Sequence, residues 1–194
     1  MESLNIITPI EQQVKNLEQE IKTKKEELAK LRRKAEAKPV DNYAFHNLDG
    51  EAINLKGLFG SKDELLLIFN MGKSCRYCTL WADGFNGLTD HLENRSAFAL
   101  LTPDKPDIAK EFTTARNWQF RVISDYETSI REDLGLRDEK GVWPAAAVFT
   151  KDNDGNIALR SSSLFGPGDN FCPMWDLMDL FPSGYNEWQP QYAY

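Results

Sequence analysis

Basic surface, histidine, cysteine and long apolar runs are all scarce in this chain, and each scarcity removes a class of function. Lys and Arg number 23 against 30 Asp and Glu, a net charge of −7. A nucleic-acid partner normally requires a basic face, so none is expected. No stretch approaches the roughly 18 consecutive apolar residues of a membrane helix, so no membrane partner is expected either. The opening Met1-Glu2-Ser3-Leu4-Asn5 has no basic segment followed by an apolar one. It reads as no secretory signal, and a cytoplasmic location is expected. Three cysteines in that reducing compartment are too few and too ill-placed for a disulfide framework. With no second Cys-x-x-Cys and no His-x-x-x-His, a zinc site would need the fold to bring Cys172, His46 and His91 to the first pair. No cofactor and no resident metal are expected.

What is present is an ordinary globular mixture, 41% hydrophobic and 27% charged, long enough for one domain and an appendage. Residues 1–38 read as a helical arm and 39–194 as the domain. In the arm, Thr8-Pro9-Ile10-Glu11 is an N-cap, a proline at the first helical position and a capping-box glutamate. Ile10, Val14, Leu17, Ile21, Leu28 and Leu31 follow as an a/d seam, interrupted by Lys24. Glu18–Lys22, Glu20–Lys24 and Glu26–Lys30 are spaced as i,i+4 pairs, and Lys38-Pro39 ends the element. The stripe suits either a homodimer formed through this helix or a helix folded back on its own domain.

Beyond the arm, strand and helix signals alternate. Residues 43–55 read as a hairpin around Asp49-Gly50. Leu65-Leu66-Leu67-Ile68-Phe69 is a short apolar run typical of a strand buried on both faces. Leu80, Trp81, Phe85, Leu88 and Leu92 recur at helical spacing. A strand over 96–101, a helix over 106–117 and a short strand over 120–123 come next, then a polar segment around 125–140. Residues 145–149 and 157–159 flank a loop and read as a second hairpin, and a helix over about 174–180 closes the domain. This order predicts an α/β fold, a mixed sheet with helices on both faces. The aromatic tail, Tyr185 to Tyr194, is expected to pack on the domain or on a partner chain.

The chemistry-bearing feature is Cys75-Arg76-Tyr77-Cys78 at the strand–helix junction. Exchange of disulfides needs an attacking thiolate and a second thiol to release the mixed disulfide. The first turn of a helix favours a thiolate at its N-terminal cysteine, and Lys73 and Arg76 add positive charge. Cys75 is therefore assigned as nucleophile and Cys78 as resolving thiol. Half of a zinc site and two reduced cysteines packed as small hydrophobes are the competing readings; the strand–CxxC–helix placement favours redox chemistry.

Val142-Trp143-Pro144-Ala145 opens a later apolar strand. With the CxxC it is similar to the thioredoxin superfamily, in which this proline is cis and faces the dithiol. That resemblance implies a thioredoxin-like fold, with Pro144 as the cis proline and Trp143 as the substrate-facing residue; Arg76 and Tyr77 would complete the substrate surface. Cys75-Arg76-Tyr77-Cys78-Thr79-Leu80-Trp81-Ala82-Asp83-Gly84-Phe85-Asn86-Gly87 sharpens it. A CxxC followed by Trp-Ala-Asp-Gly-Phe-x-Gly resembles the uncharacterised predicted dithiol-disulfide oxidoreductases of domain-of-unknown-function family 899. The implied activity is thiol–disulfide exchange with a protein or small-molecule thiol or disulfide. The alternative is a non-catalytic binding scaffold that dimerises through its arm.

Several departures qualify the resemblance. The buried Asp that thioredoxins place six residues before the first cysteine is here Phe69. Met71-Gly72-Lys73-Ser74-Cys75 does not fit the Pro-x-x-x-Thr/Ser-x-x-Cys of peroxiredoxins. Gly84 and Gly87 are expected to mark a kink or close packing, or an early helix end. Asp83 and His91 read as structural or exposed, and Cys172 as a buried free thiol.

Overall fold

The computed structural model describes residues 8–194, so the opening pentapeptide read for a signal lies outside the described residues. The chain divides into two units, Met1–Glu36 and Ala37–Tyr194. The first contains helix α1 (Pro9–Lys34). Its capping box forms as expected: Glu11 N–H donates to Thr8 Oγ1 at 3.2 Å and Thr8 N–H donates to Glu11 Oε2 at 2.6 Å. No α1 residue is buried. Among the described residues Lys24 pairs with Glu27 at 2.9 Å, an i,i+3 contact, rather than with Glu20.

The second unit runs β1 (Lys38–Pro39), β2 (Ala44–His46), β3 (Ala52–Asn54), α2 (Leu55–Leu58), β4 (Glu64–Phe69), α3 (Arg76–Asn86), α4 (Thr89–Arg95), β5 (Ala97–Thr102), α5 (Pro106–Arg116) and β6 (Val122–Ser124). It continues with α6 (Ile130–Asp133), β7 (Arg137–Asp138), β8 (Gly141–Val142), β9 (Ala145–Lys151), β10 (Ile157–Leu164) and α7 (Pro173–Met178). Eight strands form one mixed sheet in the order β1-β10-β9-β4-β5-β6-β2-β3. β4, β5 and β6 are parallel, with Leu67 opposite Ala99 and Leu101 opposite Ile123, while β9 lies antiparallel to β4. The expected thioredoxin-like arrangement is present.

Side chains on successive strand residues point to opposite faces, so the continuous apolar strands feed two cores. Leu65, Leu67 and Phe69 of β4, with Ala99 and Leu101 of β5, join Leu55, Phe59 and Ile130 on one face. Ile68, Phe98 and Leu100 join Cys78, Trp81 and Trp175 on the other. Burial of both faces explains why β4 and β5 carry unbroken apolar runs. Lys38-Pro39, expected only to stop the arm, also makes an edge strand on β10. That is a position where proline's missing N–H is tolerated. The segment 125–140, read as polar and irregular, holds α6 and the first strand of a two-stranded ribbon, β7–β8.

The single helix suggested by Leu80 to Leu92 is instead two. α3 ends with Gly87 as its C-cap and α4 begins at Thr89. The early end accounts for Gly87, and close packing for neither glycine: a Cβ at Gly84 would meet nothing within 4 Å, and one at Gly87 would lie 3.8 Å from Gly84 O.

Candidate active site

The turn between β4 and α3 is shaped by two polar residues beyond the strand ends. Asn70 N–H extends the strand pairing to Leu101 O at 2.8 Å. The buried Asn70 side chain accepts from Gly72 N–H at 2.6 Å. From the other side, Asp104 Oδ2 accepts from Lys73 N–H at 2.7 Å. Gly72 has φ +94°, and a Cβ there would sit 3.0 Å from Asp104 Oδ1, so both conformation and space require glycine. Cys75 N–H then donates to Gly72 O at 3.1 Å, and Cys75 becomes the N-cap of α3.

A serine or aspartate at an N-cap accepts a backbone N–H through its side-chain oxygen; here sulfur does so. Cys78 N–H donates to Cys75 Sγ at 3.1 Å. The Cys78 thiol, hydrogen-bonded to the Cys75 sulfur, is the largest influence lowering the Cys75 pKa to about 7; burial opposes it, and the N–H groups of Cys78 and Tyr77 assist. Cys78 is driven upward, first by the same hydrogen bond and then by burial and the neighbouring Cys75. Met71 N–H, which donates to Cys78 Sγ at 3.4 Å, and the charge of Arg131 act in the opposite direction. Lys73 and Arg76, expected from the sequence to help, are not among the main causes. Cys75 is half-buried, Cys78 and Cys172 are buried, and all three are free thiols.

Behind Cys78 runs a crevice too narrow for a water molecule, walled by Phe69, Trp81, Pro144 and Phe165. The later proline thus meets the buried member of the dithiol. One implication of the thioredoxin resemblance is corrected here. Among the described residues no peptide bond is cis, so Trp143–Pro144 is trans. Trp143, 38% exposed, has its N–H bound to Leu136 O at 2.8 Å. The β7–β8 ribbon leads directly into this segment, and Leu136 lies at its base. Pro144 O accepts from Phe165 N–H at 2.8 Å, joining the segment to the end of β10 instead.

Arg76 is exposed and donates from Nη2 to Gln189 Oε1 at 2.9 Å, so it holds the C-terminal tail. Tyr77 is half-buried, its ring 6.1 Å from Trp175 and 6.4 Å from Trp81. The tail packs on its own domain: Trp188 lies against the core on the Cys78 face, and Tyr192 O accepts from Arg116 Nη1 at 2.6 Å. Burial raises the Tyr192 pKa, and the Cys75 charge adds to it, which sets this phenol within electrostatic reach of the dithiol. Asp83 is structural, accepting from Trp118 Nε1 at 2.8 Å and pairing with Arg116. His91 is exposed on α4. Cys172 is the N-cap of α7, and burial raises its pKa. No group of three or more metal-ligating side chains forms among the described residues.

Nothing in the sequence pattern points to Arg131. It is 1% exposed, pairs through Nε with Asp125 Oδ2, donates from Nη2 to Leu101 O at 3.2 Å and lies over the Phe69 ring at 5.4 Å. Where thioredoxins keep a buried carboxylate, this chain has Phe69 with the buried Arg131 guanidinium over its ring. An isolated Arg in a polar stretch carries no periodic signal of burial; only the four-residue helix α6, turning Ile130 and Arg131 inward together, reveals it.

A family model described as a bacterial protein of unknown function (DUF899) matches residues 10–194, so the chain belongs to that family. No curated protein matches. Among solved structures it is similar to the peroxidoxin BcpB from Mycobacterium tuberculosis, with a TM-score of 0.54 and 16% identity over 66% of this chain and 84% of that one. It is also similar to reduced Prx3 from Vibrio vulnificus in complex with hydrogen peroxide, with a TM-score of 0.54 and 18% identity over 70% and 87%. A peroxiredoxin-like protein from Aquifex aeolicus gives a TM-score of 0.52 and 16% identity over 66% and 74%. At these identities the likeness establishes a shared fold. No helix of the described residues is long and apolar enough to cross a membrane.

Proposed function

We propose that this member of the DUF899 family is a thiol–disulfide oxidoreductase acting through Cys75 and Cys78. The observation that carries the reading is the division of labour within the pair. Cys75 is reachable, caps a helix and is acidic enough to ionise near neutrality, whereas Cys78 is buried directly behind it and keeps its proton. The Cys75 thiolate attacks one sulfur of a disulfide; that S–S bond breaks and the departing thiolate takes a proton from water. A mixed disulfide joins Cys75 to the substrate. The Cys78 thiol then gives its proton to solvent and attacks Cys75 Sγ, expelling the second substrate thiol. Two electrons have moved from the dithiol to the substrate, and an external dithiol or glutathione restores the reduced protein by the reverse exchange.

Tyr77, Arg76 and the exposed Trp143 offer side-chain surface to the partner, and Pro144 shapes the crevice behind Cys78. The partner is a protein or small-molecule thiol or disulfide in the cytosol. The test is a redox titration in glutathione buffers, read by alkylation and mass spectrometry. A reversible two-electron transition confined to Cys75 and Cys78, with Cys75 alkylated first, is expected. Two thiols that react only after unfolding would reject it. The second reading, a non-catalytic scaffold dimerising through α1, is favoured by the apolar stripe left unburied on that helix. It accommodates inert thiols.

A further inference from the structure

A cleft of about 600 Å³ begins at Tyr77, inside the CxxC, and the exchange chemistry alone makes no use of it. Its apolar lining includes Tyr77, Trp175 of α7, and Tyr185 and Trp188 of the tail; two carboxylates, Asp179 and Glu187, also line it. No Lys or Arg is among its lining residues. The adjacent guanidinium, that of Arg76, is engaged with the Gln189 amide. Among the described residues neither Asp179 nor Glu187 belongs to an ion pair.

Aromatic faces carry partial negative charge and attract cations, most strongly where water is excluded. Carboxylates in the same wall add to that attraction and repel anions such as a glutathione carboxylate. Trp188 N–H bonds Tyr185 O at 2.8 Å, with Asn186 at φ 46° and Glu187 at φ 57° between them. Two left-handed central residues define a type I′ turn, where glycine is the favoured second one. This chain places a glutamate there, at the cleft wall.

We infer that the cleft of Tyr77, Trp175, Tyr185 and Trp188, with Asp179 and Glu187, receives a lysine or arginine side chain flanking the disulfide of a peptide substrate. The inference rests on the proposed exchange activity and names its substrate class. A cleft of this volume suits a short peptide segment, and its continuity with Tyr77 brings that segment to the dithiol.

The probes are homodimeric disulfides of a five-residue peptide with cysteine at the centre and lysine, glutamine or glutamate at both ends. The fully reduced full-length protein is mixed with each, and the second-order rate is divided by that peptide's rate with mercaptoethanol, which removes leaving-group effects. The lysine peptide is expected to react at least tenfold faster than the glutamine peptide, and the glutamate peptide more slowly still. In the Asp179→Asn/Glu187→Gln double variant the lysine preference collapses toward one, while Asp176→Asn, a charge change on α7 outside the cleft lining, retains it. Equal normalised rates in the unmodified protein, or a preference that survives the double variant, would overturn the inference. If no peptide is reduced at all, the exchange reading fails, and binding decides the cleft separately. Cys75→Ser protein, followed by tryptophan fluorescence, should bind the S-methylated lysine peptide at least fivefold more tightly than the glutamine one. The double variant should lose that margin, and indistinguishable affinities would again overturn the inference.

Discussion

The acidity of Cys75 is set within one turn of helix, and its origin can be separated into parts. Its pKa of about 7 is lowered first by the Cys78 thiol and then by the N–H groups of Cys78 and Tyr77, against burial. A depressed pKa places the gain in reactivity above the folded value. The thiolate fraction therefore rises as pH climbs through about 7 and is lost as pH falls below it. Near neutral pH Cys75 is therefore more ionised than an unperturbed thiol, whose pKa is about 8.5. Iodoacetamide alkylation between pH 5 and 10 should accordingly show a midpoint near 7 for Cys75. Removing the strongest influence, by Cys78→Ala, should move that midpoint upward, because burial then opposes the backbone donors that remain. An unchanged midpoint in the variant would assign the acidity to the helix terminus alone.

Between elements, the Asp125–Arg131 pair holds together what the sheet alone does not. Arg131 comes from α6, Asp125 follows β6, and Leu101 O belongs to β5, so one buried guanidinium ties three elements beneath Phe69. Burial pushes the Asp125 carboxyl upward and Arg131 opposes it. Truncating one partner of such a pair strands the other charge and typically costs about 3–5 kcal/mol, whereas replacing both with apolar groups is often near neutral. Arg131→Met should lower stability to urea by about that much, and adding Asp125→Leu should recover most of the loss. Additive losses would mean that the two side chains act independently.

This pair also marks where sequence reasoning stops. β4 and β5 were legible because residues buried on both faces leave apolar runs, β9 because residues 145–149 are apolar in succession, and the α1 cap because its chemistry is local. The dithiol at the strand–helix junction was legible for the same reason. Burial of an arginine, capture of Trp143 N–H by Leu136, and closure of a cleft by the tail all depend on contacts between residues far apart in the chain. The β7–β8 ribbon escaped because two-residue strands carry no alternation.

For the whole molecule, the uneven distribution of charge and apolar surface bears on assembly. Residues 1–38 carry nine basic and seven acidic side chains, while the remainder carries fourteen and twenty-three. The α1 stripe of Ile10, Val14, Leu17, Ile21, Leu28 and Leu31 is exposed at every position. Apolar residues repeating at a/d spacing lower the free energy of a helix when they meet the same seam on a second copy. Lys24, falling inside the seam, would weaken such a pairing, so a dimer formed through it would be dissociable rather than obligate. Light scattering of the full chain should therefore show a mass that climbs from one copy toward two with concentration. Leu17→Glu/Ile21→Glu should hold it at one copy, because like charges would then meet at the centre of the seam. Since Cys75 and its acidifying partners all belong to the second unit, the same variant should keep the Cys75 alkylation profile. A mass of one copy at every concentration in the unmodified chain would remove α1 as a self-association element, and a loss of Cys75 reactivity in the variant would tie assembly to the chemistry.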